Sequence, residues 1–164
     1  MNIFKKILII LFIVLVCTGC DQSTKYLATE FLEPNSMISY VNDIFRLQYA
    51  ENKGAFLGLG NTLSEESRFS IFTVAVSCVL LLLFLHMVFS RKIDTFQVVV
   101  LSVVLGGGFS NLIDRVVNNG AVVDFLNLGI GQLRTGIFNI ADIFIMLGFT
   151  LLIFHSHKYK ERIE

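Results

Sequence analysis

Val122-Val123-Asp124-Phe125 and Phe138-Asn139-Ile140-Ala141-Asp142 each set one aspartate among apolar residues, and Asp142 opens an apolar run that lasts to Phe154. A carboxylate in such surroundings is costly to ionise unless a nearby group compensates for the lost water. Two of them together suggest a pair that shares one proton, the arrangement that activates water for hydrolysis. The structural alternative is simpler: Asp124 in a solvated loop and Asp142 as a helix cap.

Composition places this pair in a membrane. The chain has 164 residues, of which 54% are hydrophobic and 16% charged, with a single proline. Mean hydropathy is +0.72, well above that of an ordinary soluble domain. A net charge of zero gives no support for a nucleic-acid partner. Cys17, Cys20 and Cys78 all lie inside apolar segments, so no disulfide framework is expected. No repeat or low-complexity tract is visible, and one membrane domain over 1–164 is the expectation.

Four spans can be placed, at about 6–27, 69–89, 96–117 and 138–155. The first follows Lys5-Lys6. Its apolar run from Ile7 to Gly19 is too short to cross hydrocarbon, which needs about 20 residues. It reaches that length if the helix continues through Asp21-Gln22-Ser23-Thr24-Lys25 to Leu27. Asp21 and Lys25 then share one face, acid first, as an interfacial ion pair or as part of a site. Cys17-Thr18-Gly19-Cys20 weakly resembles a lipoprotein cleavage box, although Cys17 stands where such boxes favour leucine. A membrane-anchored lipoprotein with a structural role is therefore an alternative.

The segment 28–68 is more polar. Met37 to Val41 and Phe45 to Tyr49 read as strands, the second with Phe45, Leu47 and Tyr49 alternating with Arg46 and Gln48. Beyond it, Gly54 allows a tight turn that presents Asn52, or merely closes a hairpin. Thr62-Leu63-Ser64-Glu65 fits a capping box for the next helix. In the third span, Gly106-Gly107-Gly108 permits close helix packing and lacks the lysine of a phosphate loop. Asn111, Asp114 and Arg115 follow within about one helical turn. Arg115 either snorkels to the interface or fixes an ionised carboxylate. Residues 118–137 read as a loop that carries Asp124.

Lys5, Lys6, Arg91, Lys92, Lys158, Lys160 and Arg162 all flank one side, which predicts both termini inside. Asp21, Lys25, Asn111, Asp114, Arg115, Asp124, Asn139 and Asp142 then converge at the outer level. Random snorkelling would populate both ends of the helices, so this convergence favours an active site. A proton-coupled transporter would hold its acids near the midplane and show repeats. A serine mechanism at Ser110 lacks a base, because His86 belongs near the opposite face. No HExxH pattern is present, and neither a metal nor a cofactor is called for.

At this point the chain resembles lipoprotein signal peptidase, signal peptidase II. The resemblance rests on Asp21-Gln22-Ser23-Thr24-Lys25, Asn52-Lys53-Gly54-Ala55, Asn111-Leu112-Ile113-Asp114-Arg115, Val122-Val123-Asp124-Phe125 and Phe138-Asn139-Ile140-Ala141-Asp142, in that order. It covers nearly the whole chain. It implies a four-span bacterial inner-membrane aspartyl peptidase with a small extracytoplasmic β-cradle between spans one and two. Such enzymes cut prolipoproteins just before the diacylglyceryl-modified cysteine, at the extracytoplasmic face. The resemblance makes Asp124 and Asp142 the catalytic pair. Asp21, Lys25, Asn52, Gly54, Asn111, Asp114, Arg115, Asn139 and Ala141 become its support. Membrane lipids and cyclic peptide inhibitors of the globomycin type are further implied partners. Phe56 and Leu57 stand where the family usually has alanine and then an aromatic, Ser110 where it usually has glycine, and Ile143 where a small residue often follows. Those departures bear on substrate shape and inhibitor fit.

Overall fold

A computed structural model of the chain describes residues 1–54, 60 and 62–160. Four of its helices are long and apolar enough to cross a membrane: Ile3–Phe31, Glu65–Phe89, Thr95–Val117 and the helix that starts at Ile140. They are called the first to fourth helix. Large apolar side chains such as Phe12, Leu15, Leu82 and Ile153 point away from the protein, as lipid-facing positions do when no water competes for them. The first helix runs unbroken through Cys20 and on to Phe31, past the Leu27 expected from sequence.

The helices meet through small residues and end caps. A side chain on Gly106 would come within 2.7 Å of the Cys17 Cβ, and one on Gly107 within 2.6 Å of the Ala141 carbonyl oxygen. These glycines let the third helix lie directly against the first and fourth. The Asp94 carboxylate accepts the Gln97 N–H and the Gln97 side chain accepts the Asp94 N–H, a reciprocal cap that starts the third helix. At the same end of the bundle, the buried Lys6 ammonium donates to the carbonyls of Met87 and Ser90, which the second helix leaves without internal partners. The second helix starts on Ser64, whose hydroxyl accepts the Ser67 N–H. The cap is thus Ser64 rather than the Thr62 of the expected box. Phe69–Ala75 within this helix is π-helical, a widening common near functional sites.

Both strands expected in 28–68 form, and two more join them. The sheet is antiparallel with the order β1-β2-β3-β4, from Ile38–Tyr40, Phe45–Asn52, Val122–Ile130 and Leu133–Arg134. The segment expected as a loop therefore contributes two strands, and Asp124 sits on one of them. A run of buried residues from Val122 to Asn127 reads poorly as a strand because both faces are covered and no alternation survives. Asp124 pairs with Ala50, and Val122 with Asn52. Phe138 then bridges to Leu126, which brings the start of the fourth helix beside β3. Ala28 and Leu32 of the first helix, Phe125 and Leu126 of β3, and Phe45, Leu47, Tyr49, Phe138 and Ile140 form one apolar cluster. It seats the sheet on one end of the bundle. At its far edge, Asp43 is bound by Ser39, Arg46 and Arg134, and the bond from Arg46 holds its carboxyl well below the usual range.

Candidate active site

Asn139-Ile140-Ala141-Asp142 begins the fourth helix. The Asn139 side-chain oxygen accepts the Asp142 N–H at 3.0 Å, and Asp142 Oδ2 accepts the Asn139 N–H at 3.3 Å. This is a reciprocal cap with an acid at its third position, so Asp142 does serve the helix start. It does more, because its other oxygen accepts from Asn111 Nδ2 at 3.0 Å.

Asp124 faces the same asparagine. Its Oδ1 accepts from Asn139 Nδ2 at 2.6 Å and its Oδ2 from Asn52 Nδ2 at 3.0 Å. The side chain is buried, at 2% exposure. Burial pushes the carboxyl up to about 7 against the pull of the Asn52 bond, and the nearby Asp142 charge adds to the rise. Asn139 therefore touches both aspartates. Asn52 is oriented in turn by the Gly54 N–H, which donates to its side-chain oxygen at 3.0 Å. That bond closes an Asx turn, and the turn presents Asn52 to Asp124.

Beneath the pair lies a buried ionic cluster. Lys25 Nζ sits 2.7 Å from Asp21 Oδ2 and 2.8 Å from Asp114 Oδ2, and donates to Asn111 Oδ1 at 2.8 Å. Exposure is 0% for Asp21 and 3% for both Lys25 and Asp114, so this is not an interfacial pair. A charge cluster withdrawn this far from water persists only when its lone pairs and protons are all engaged. Here they are. Asp21 Oδ1 accepts the Ala141 N–H at 2.8 Å, and Asp114 Oδ2 accepts the Val123 N–H at 3.0 Å. Each carboxylate thus grips the backbone one residue before one member of the Asp124/Asp142 pair.

The direct contacts of Arg115 go to carbonyls and a ring. Its guanidinium donates to the carbonyls of Gly120 and Gly54 and lies over the Phe72 ring, 5.2 Å from the ring centre. Among the described residues it forms no ion pair. It ties the turn after β2 to the third helix, and the planar stacking suits arginine. A cavity of about 340 Å³ opens beside it, lined by Phe72, Val76, Gly108, Leu112, Ile145 and Met146, with Asn111, Arg115 and Asp142 at its polar end. Mostly apolar walls with a few polar groups are the usual make-up of a small-ligand cleft.

All eleven residues singled out in the sequence lie in or against this site. Sequence reasoning passed over Gln22 and gave no contact to Ser110. Gln22 Nε2 donates to Asp114 Oδ1 at 2.7 Å, and Ser110 Oγ to Asp21 Oδ2 at 2.7 Å. The available signal was spacing, since Gln22 stands one helical turn before Lys25. Ile143 does not line the cavity, so that departure stays off its wall. Phe56 and Leu57 lie outside the described residues. Among the described residues no group of three or more His, Cys, Asp and Glu side chains could hold a metal ion.

Comparison with known proteins agrees with this geometry. Residues 13–158 match the family model described as signal peptidase (SPase) II. The chain is 34% identical to the lipoprotein signal peptidase of Caldanaerobacter subterraneus subsp. tengcongensis over 146 residues, covering 89% of this chain and 91% of the relative. It is 30% identical to that of Thermodesulfovibrio yellowstonii, covering 96% and 98%. A bacterial membrane enzyme solved by the in meso method at 2.3 Å resolution superposes with a TM-score of 0.77 at 28% identity, covering 98% of this chain and 92% of the other. With the match running from the first helix to the end of the fourth, this chain belongs to the signal peptidase II family.

Proposed function

We propose that the chain is a lipoprotein signal peptidase in which Asp124 and Asp142 are the catalytic pair. It removes the signal peptide from prolipoproteins, as its family and the names of its relatives indicate. The observation that carries the residue assignment is the shared asparagine. Asn139 bonds to Asp124 and to both backbone and side chain of Asp142, so one side chain joins the two carboxyls. One ionised carboxylate takes a proton from water while its protonated neighbour polarises the scissile carbonyl. The gem-diol that forms collapses as a proton passes to the leaving nitrogen.

The substrate class follows from the cavity. Phe72, Val76, Leu112, Ile145 and Met146 line it together with Asp142. It suits a signal peptide in lipid whose diacylglyceryl-modified cysteine waits at the polar end, with cleavage just before that cysteine. In this reading both termini are cytoplasmic, the sheet and the pair lie at the extracytoplasmic face of the bacterial inner membrane, and membrane lipids surround the cleft. Cyclic peptides of the globomycin type would compete for the same cavity. The test is cleavage by purified protein in detergent. A diacylglyceryl-modified precursor should be cut without added metal or energy, and the same precursor without its lipid should not. Equal cleavage of both would remove the lipid from the proposed specificity.

A further inference from the structure

Ser110 is fully buried, at 0% exposure, in the third helix between the two carboxylates that grip the catalytic backbone. Its hydroxyl donates to Asp21 Oδ2 at 2.7 Å and accepts from Gln22 Nε2 at 3.0 Å. The Gln22 amide also donates to Asp114 Oδ1 at 2.7 Å. A second link therefore joins Asp21 to Asp114, alongside the direct one through Lys25.

The two links differ in kind. An ammonium on a four-carbon stem is a compact charge with rotatable donors and attracts a carboxylate without fixing its rotation. A short bond from a packed hydroxyl adds direction. With Ser110 and Lys25 both on Oδ2, Asp21 is left with Oδ1 aimed at the Ala141 N–H. With Gln22 on Oδ1, Asp114 is left with Oδ2 aimed at the Val123 N–H. We infer that Ser110, acting with Gln22, is a positioning residue of this enzyme: it orients Asp21 and thereby fixes the backbone that carries Asp142 relative to Asp124.

The inference rests on the assignment of Asp124 and Asp142 as the catalytic pair, and the experiment separates the two. Cleavage of a lipidated precursor is measured for wild type, Ser110→Ala, Gln22→Leu, Asp21→Asn, and Ser110→Ala within Asp21→Asn. Ser110→Ala should lower kcat about tenfold, the low end for one bond to a charged group, with KM within about twofold. Gln22→Leu should behave likewise. Within Asp21→Asn, Ser110→Ala should cause no further loss, because its effect runs through Asp21. Wild-type kcat in Ser110→Ala overturns the inference, as does a loss confined to KM. A full loss persisting in the Asp21→Asn background overturns it too, and where that background does not fold, the kcat and KM of the single variants decide. Wild type that cleaves nothing removes the peptidase reading, and this inference with it.

Discussion

Asn139 Nδ2 donates to Asp124 Oδ1 at 2.6 Å, from the residue whose carboxamide oxygen also accepts the N–H that begins the Asp142 turn. The helix cap and the contact to Asp124 are the same side chain. Asn139→Ala should therefore damage both carboxylates at once. The loss of bonds to charged groups predicts a fall in kcat of about 10–100-fold. Asn139→Ser should preserve the cap and the helix while still losing the reach to Asp124. Cleavage rates set against helix content by circular dichroism separate the two effects, and an active, well-folded Asn139→Ala would argue against a shared role.

Removing either carboxyl should be more severe. Asp124→Asn and Asp142→Asn keep most of the shape but take away a group the cycle needs, at a cost of at least about 100-fold. Because the two act as one device, the double variant should be little worse than either single one. Asp114→Asn should be milder, because Asp114 holds the Val123 N–H and Lys25 and stands outside the pair. Precursor cleavage by the four variants, each checked for membrane insertion, measures this. A well-inserted Asp142→Asn with near-wild-type activity would return Asp142 to the role of a helix cap.

The four helices and the gathering of the polar residues at one level were legible because membranes impose simple rules. Apolar length marks a helix, and a polar residue inside one asks for a partner. Spacing placed Asp21 with Lys25, and that bond forms. The strand around Asp124 was not legible, because a run covered on both faces looks like any apolar segment. Nor was the part played by Ala141, which works through its backbone N–H and leaves no mark in side-chain chemistry. The carbonyl contacts of Arg115 were not legible, because such acceptors, unlike carboxylates, cannot be seen in a sequence.

Orientation is the prediction that charge makes. The basic residues Lys5, Lys6, Arg91 and Lys92 flank the end of the bundle opposite the sheet, and cytoplasmic loops carry such an excess. Single cysteines at Asn118 and Lys160, in a chain lacking Cys17, Cys20 and Cys78, should then react differently in intact cells. Asn118 should be labelled from outside and Lys160 only after permeabilisation. Outside labelling at Lys160 would invert the site. In the native chain, Cys20 lies within an unbroken helix, so intact-mass analysis should find it uncleaved and without lipid.

Burial of Asp124 makes stability depend on pH in a direction that can be worked out. Its carboxyl is raised from 3.8 to about 7 in the folded chain, so between those values the folded state holds a proton that the unfolded state has released. By linkage, stability from this group is fully present below the unfolded value and lost as pH rises through the folded one. Asp124→Asn removes that dependence. Whatever constant cost the new amide brings by meeting Asn52 and Asn139, the melting temperature of the variant relative to wild type should be higher at pH 8 than at pH 5. Circular dichroism in detergent at the two pH values reads the difference. Activity should follow the same proton: the pair needs one to work, so kcat/KM of wild type should decline on the alkaline side with a midpoint near 7. If the relative melting temperature of the variant is the same at both pH values, or greater at pH 5, Asp124 is ionised in the resting protein and the proton of the pair must be sought on Asp142.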